Sequence, residues 1–241
     1  MDNQNKIKAV FFDIDDTLYG FKELNCVARK CIYQYLAGNY PVSWELFEET
    51  EKRAMDKVTE RLGKNHPSTH NRQIRFQNML HMLGIPIYPH ANEMYRLYWD
   101  TVIENALPED GIKELLAALK ARGIYLGIGT DMTSYIQNKK LERLDIAEYF
   151  DCVVASEEVG EDKPSEKFFA LCAERAGCES VQCLFIGDSL KKDVRGAKSV
   201  GMYAACYNRY SLVKEQDAGI VISSYRECIK GERIQFGTIV I

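Results

Sequence analysis

Short apolar runs that alternate with helical stretches constrain this chain more than any other feature. The runs are IKAVFFD (7–13), GIYLGIG (123–129), DCVVAS (151–156), CLFIGD (183–188), MYAACY (202–207) and AGIVIS (218–223). Residues 111–122, 133–144, 164–176 and 190–199 lie between them and space Leu, Ile and Ala as a helix does. Alternating β and α segments with apolar strands predict an α/β fold, a doubly wound parallel sheet covered by helices on both faces. Ligands of such sheets bind beyond the carboxyl ends of the strands.

Residues 20–103 break this rhythm. Long amphipathic stretches such as FKELNCVARKCIYQYL, SWELFEETEKRAMDKVTERL and RQIRFQNMLHMLG carry no strand signal. An all-helical insert is therefore expected between the first and second strands. Pro41, the Gly63–Pro67 stretch and IPIYPH mark its turns. The expected organisation is a core of 1–19 and 104–241 carrying a helical domain of 20–103. The tail, ERIQFGTIVI, has β character and either adds an edge strand or packs on the insert.

Composition narrows the function classes. Hydrophobic residues make up 46% of the 241, enough for a sizeable core. A net charge of −4 argues against a nucleic-acid binder, which usually shows a basic patch. No run of about 18 apolar residues occurs, so no membrane span is expected. The polar start MDNQNKIK lacks the apolar region of a signal peptide, and a cytoplasmic location is expected. The eight cysteines are scattered without a CxxC pair, which predicts reduced, mostly buried thiols.

Three acids, Asp13, Asp15 and Asp16, crowd the end of the first apolar run. Carboxylates there repel one another, and a cation held against them offsets the repulsion. Asp13 and Asp15 are two residues apart, so an extended backbone points both the same way. Further on, Thr130 follows GIYLGIG and Lys163 sits in EEVGEDKP, while Asp188 follows CLFIG with Asp193 five residues later. Each alone has a plain structural use: the Asp as a helix cap, the Lys as a solvated loop residue, the Thr bonded to local backbone. Four in order at strand ends fit a phosphate-and-metal site better. Mg²⁺ prefers an octahedron of oxygens, and Asp13 and Asp188 offer carboxylates. One carboxylate can attack phosphorus. A second can protonate the leaving oxygen and then activate water. Thr130 offers a hydroxyl donor and Lys163 a positive charge for phosphoryl oxygens.

These motifs resemble the haloacid dehalogenase superfamily, specifically its phosphatases with a helical cap. FFDIDDT is similar to that family's DxDxT motif, GIGTD to its strand ending in Thr or Ser, DKP to its lysine motif and GDSLKKD to its final acidic motif. The resemblance covers 1–19 and about 104–225 and implies a Rossmann-like core. It implies Asp13 as nucleophile and metal ligand, and Asp15 as general acid/base and backbone-carbonyl metal ligand. It implies Asp188 as metal ligand and Asp193 as a further carboxylate near the metal or Lys163. Thr130, Asp131 and Lys163 are implied at the phosphate, with Mg²⁺ as cofactor and a small phosphorylated metabolite as partner. Many members carry Asn where this chain has Asp131. The backbone N–H there can still reach phosphate, and the added carboxylate can alter substrate preference.

Asp16 lies out of phase with its neighbours and is expected to cap the turn leading to Thr17. Ser189 is expected to cap the next helix. In the family the cap largely sets substrate choice, and Lys22, His66, His70, Arg72 and Arg75 are candidates, against a plain reading as solvated charges. Tyr33, Tyr35, Trp44 and Phe47 are expected in the cap core. A phosphomutase would keep all four motifs, and a phosphoaccepting signalling protein would use similar groups but lack the insert. A dehalogenase usually lacks the second Asp, so Asp15 argues against one. Sugar phosphates, phosphoglycolate and nucleoside monophosphates all remain open as substrates.

Overall fold

The computed structural model describes residues 6–241; the polar start MDNQN lies outside them. The chain divides into two compact units. One comprises the residues up to Gly20 together with Leu107–Ile241, and the other comprises Phe21–Ala106.

The first unit holds a six-stranded sheet in the order β3-β2-β1-β4-β5-β6. Its strands are β1 (Ala9–Phe12), β2 (Tyr125–Thr130), β3 (Cys152–Ala155), β4 (Cys183–Gly187), β5 (Tyr203–Tyr207) and β6 (Val221–Ile222). Every pairing is parallel. All residues of β1 and β4 are buried, which explains why they read as continuous apolar runs rather than as alternating ones. Ala9 and Phe11 join a core cluster with Phe168, Phe169 and Phe185. Phe12, on the opposite face, meets Phe150 and Tyr225 with ring centroids 6.3 Å away in each case. Phe12 pairs with Ile128 on one side and Ile186 on the other, so the ends of β1, β2 and β4 are level. The chain moves from β1 to β2 in one direction and returns to β4 in the other. That reversal beside β1 is a topological switch point, where such sheets open a crevice.

Between and after these strands lie the helices of this unit, at Ile112–Lys120, Ser134–Arg143, Ser156–Val159, Glu166–Ala176, Arg195–Ser199 and Glu215–Ala218. The helix expected over 190–199 is broken, because Leu190–Val194 forms a wider turn before Arg195. The last strand is shorter than AGIVIS, since Ala218 closes a helical turn and Gly219 takes φ +87°. The tail adds no strand to the parallel sheet. It forms a three-stranded antiparallel sheet of β7 (Ile229–Lys230), β8 (Arg233–Phe236) and β9 (Ile239–Val240).

The second unit is helical: α1 (Phe21–Ala37), α2 (Trp44–Leu62), α3 (Arg72–Met82) and α4 (His90–Glu104). α1 buries Ala28, Ile32 and Leu36 at four-residue spacing, and α4 buries Ala91, Met94, Tyr98 and Val102. Ser43 caps α2 by accepting from the Leu46 N–H, and Asn71 caps α3 by accepting from the Ile74 N–H. Tyr33, Trp44 and Phe47 pack ring against ring at 5.0–5.7 Å. Tyr35 is engaged differently: its hydroxyl pairs with His90 Nδ1 at 2.7 Å, while Tyr40 takes Nε2 at 2.6 Å. His66 accepts from the Ser68 N–H and so caps its own turn. Among the described residues no helix is long and apolar enough to cross a membrane. All eight cysteines are free thiols.

Candidate active site

Asp13 directly follows β1, and its N–H donates to Ile186 O at 2.8 Å, carrying the ladder one residue past the strand. Asp188 directly follows β4. The carboxylates of Asp13, Asp188 and Asp193 gather with oxygens within 4.8 Å of one another. Lys163 is buried among them. Its Nζ lies 2.9 Å from Asp13 Oδ1 and 2.7 Å from Asp193 Oδ1, and donates to Gly129 O at 3.2 Å. The second Asp193 oxygen accepts from the Ser189 N–H at 2.9 Å. Ser189 Oγ in turn accepts from the Lys192 N–H, the capping role expected of it. Gly187 makes room for this arrangement, since a Cβ there would lie 2.4 Å from Asp193 Cγ.

Burial and crowding set the charges. Burial, then the nearby Asp193 and Asp15, push Asp13 up to about 7 against the pull of Lys163. Burial, then Asp13, Asp193 and Asp16, push Asp188 up to about 8. Burial would lower Lys163, yet Asp13, Asp193 and Asp131 hold it well above its ordinary value. Two carboxylates, Asp13 and Asp193, therefore share one buried ammonium, and among the described residues Asp188 beside them has no cation of its own in contact. An all-oxygen cluster of this kind suits a hard divalent cation. The gathered oxygens of Asp13, Asp188 and Asp193 thus fit a site for a hard divalent cation.

The loop after β2 is tied down by contacts that the motifs do not reveal. Asp131 Oδ1 accepts from the Lys163 N–H at 2.9 Å, and Oδ2 accepts from Lys192 Nζ at 2.7 Å. Burial would raise this carboxyl, but Lys163 and Lys192 hold it below the usual range. The carboxylate that marks this chain's departure from the family motif is thus already engaged. Thr130 Oγ1 donates to Asp131 O and accepts from Gln137 Nε2, a fully buried amide.

Asp15 is held separately. Its Oδ1 accepts from Lys140 Nζ at 2.6 Å and from the Tyr19 hydroxyl at 2.7 Å. Asp16 adopts φ 57°, and its Oδ1 accepts from the Tyr210 hydroxyl at 2.8 Å. The turn beside it closes on Ile14 O, which accepts from Thr17 and Leu18 N–H. The structure thus gathers Asp13, Asp188, Asp193 and Lys163 directly and links Asp131 to Lys163. Gln137, Lys140, Lys192 and Tyr19 escaped the motif reading. Lys192 sits inside GDSLKKD, and Gln137 and Lys140 are three apart on a helix whose other buried residues are Ile136 and Leu141.

Comparisons with known proteins bear on the family and the fold. The haloacid dehalogenase-like hydrolase family description matches residues 7–201. A glyceraldehyde 3-phosphate phosphatase from Methanopyrus kandleri is 35% identical over 199 residues, covering 81% of this chain and 82% of that protein. A ribulose-1,5-bisphosphate 5-phosphatase from Halopiger xanaduensis is 30% identical over 202 residues, covering 83% and 84%. The crystal structure of a 2-haloacid dehalogenase from Pseudomonas syringae pv. Tomato DC3000 superposes with a TM-score of 0.74 at 24% identity, covering 92% of this chain and 96% of that one. At that identity the likeness concerns the fold alone.

Proposed function

The chain belongs to the haloacid dehalogenase-like hydrolases, and from that premise we propose that it hydrolyses a small phosphorylated sugar through a phosphoryl group carried on Asp13. The observation that carries this reading is the position of Asp13. It ends the central strand at the switch point, within ion-pair distance of Lys163 and beside Asp188 and Asp193.

Asp13 attacks phosphorus, and the bond from phosphorus to the leaving oxygen breaks as Asp15 supplies a proton. Water then attacks the phosphoaspartate, gives a proton to Asp15 and releases phosphate with Asp13 restored. Lys163 neutralises charge on the phosphoryl oxygens, and its pairing with Asp193 fixes where its ammonium sits. The carboxylates of Asp13 and Asp188 and the main-chain carbonyl of Asp15 would hold Mg²⁺, which when bound offsets the charge repulsion between phosphate and nucleophile. The named activities of the two relatives support a sugar phosphate as substrate and hydrolysis over mutase chemistry.

The test is phosphate release over a panel of sugar phosphates, nucleoside monophosphates and phosphoglycolate, with Mg²⁺ and after chelation. Hydrolysis of a sugar phosphate that needs Mg²⁺ and vanishes in Asp13→Asn, with the fold intact, is expected. Full activity in Asp13→Asn, or a phosphoryl label trapped on another residue, would refute the assignment.

A further inference from the structure

We propose that Lys140 and Tyr19 are positioning residues that assign the two oxygens of Asp15 to different tasks: Oδ1 is anchored, and Oδ2 carries the proton. The inference rests on the reading of Asp15 as general acid/base.

Both donors fall on the same oxygen, at 2.6 Å from Lys140 Nζ and 2.7 Å from the Tyr19 hydroxyl. No donor among the described residues bonds to Oδ2. The Lys140 side chain is fully buried, and that of Asp15 is 22% exposed. The Lys140 ammonium also lies 5.6 Å from the centroid of the Tyr19 ring, and Tyr19 is itself fully buried. Helix Ser134–Arg143 presents Lys140 between the buried Gln137 and Leu141. A buried ammonium is costly, and a buried ion pair is weak evidence of stabilisation. Its position is better explained by what happens at Asp15. In the first step the Oδ2–H bond breaks as the leaving oxygen takes the proton, and negative charge appears on a carboxylate that already faces Lys140. That charge is met without reorganisation. In the second step water loses a proton to Oδ2 while its oxygen bonds to phosphorus and the bond from phosphorus to Asp13 breaks. Two donors on Oδ1 stop the carboxyl from rotating between these events.

The test compares Lys140→Met, Tyr19→Phe and Asp15→Asn on two monoesters. One is an alkyl phosphate, whose leaving group needs a proton, and the other is dinitrophenyl phosphate, whose leaving group does not. The measure is kcat/KM, which reports steps only through phosphorylation of Asp13 and so isolates proton donation. A general acid contributes about 10²–10⁴-fold, so a misplaced one is expected to lower kcat/KM for the alkyl ester at least about tenfold more than for the dinitrophenyl ester. Equal losses on both esters, or none on either, would overturn the proposal while leaving a purely structural role. If Asp15→Asn itself fails to discriminate between the esters, the reading of Asp15 has failed. If Asp15→Asn discriminates and the other two variants do not, only the positioning role has failed. Should Lys140→Met not fold, Tyr19→Phe, which removes a single oxygen, decides on the same criterion.

Discussion

Asp13 and Asp188 carry the same two costs, burial and neighbouring negative charge, and hold their protons up to about 7 and about 8. Their ordinary value is 3.8. Between those limits the native state binds protons that the unfolded chain has lost. Without metal, their contribution to stability therefore falls as pH rises from about 4 to about 8 and is level above that. Asp131 has the opposite sign. Lys163 and Lys192 overcome its burial and hold it low, so its contribution persists above the unfolded value and is lost only on acidification. A divalent cation binds the ionised carboxylates and must displace those protons. Mg²⁺ is thus expected to raise the Tm more at roughly pH 8.5 than at roughly pH 6, and to release protons on binding at the lower pH. Thermal unfolding with and without Mg²⁺, and calorimetry in two buffers of different ionisation heat, measure this. An increment independent of pH would mean that these carboxylates are not the ligands.

Arg72 and Arg75 share α3, and the structure turns both into the helical unit's own framework. Arg72 donates to the Tyr98 hydroxyl at 3.0 Å and lies over that ring, with its carbon 4.9 Å from the centroid. Arg75 donates from two nitrogens to Thr69 O, and burial and the neighbouring Arg72 pull its pKa down to about 10. Losing a charge-assisted hydrogen bond costs about 1.5–3 kcal/mol, so Arg75→Ala is expected to destabilise this unit by about that much. Both tryptophans of the chain, Trp44 and Trp99, lie in it, so urea unfolding followed by tryptophan fluorescence reports on it alone. An unchanged midpoint would return Arg75 to the role of a free surface charge. This is also the scale at which the sequence was most and least informative. Strands β1 and β4 were legible because full burial leaves no polar residue in the run. The tail was not, since strands of two, four and two residues carry too little alternation to show their partner. Lys140 and Asp15 stand 125 residues apart, and only the folded sheet brings a lysine from an ordinary-looking helix onto that carboxylate. Local spacing gave Asp13, Asp15 and Asp188; the partners that set their charge and direction are long-range.

Each unit has its own buried core, and the route between them leaves and re-enters the first unit at adjacent points. Leu18 O accepts from the Glu109 N–H at 2.8 Å, so the two crossings are tied together within the sheet-bearing unit itself. The parallel sheet, its aromatic cluster and the Asp13–Lys163–Asp193 network all lie in that unit. Domains inserted at neighbouring points of a host can in principle be removed without unravelling it. Replacing residues 21–106 by a short Gly/Ser linker is therefore expected to leave a core that unfolds cooperatively by circular dichroism. Because Asp13, Asp15 and Lys163, the proposed nucleophile, acid/base group and phosphate-binding lysine, all remain, that core should retain slow, Mg²⁺-dependent hydrolysis of dinitrophenyl phosphate. Discrimination among sugar phosphates, which the family resemblance implies the helical unit supplies, should disappear. A product with no cooperative transition would mean that the core depends on the helical unit for folding. A folded core that still ranks sugar phosphates as the full chain does would move the specificity determinants into the sheet-bearing unit, with Asp131 and Lys192 the first residues to substitute.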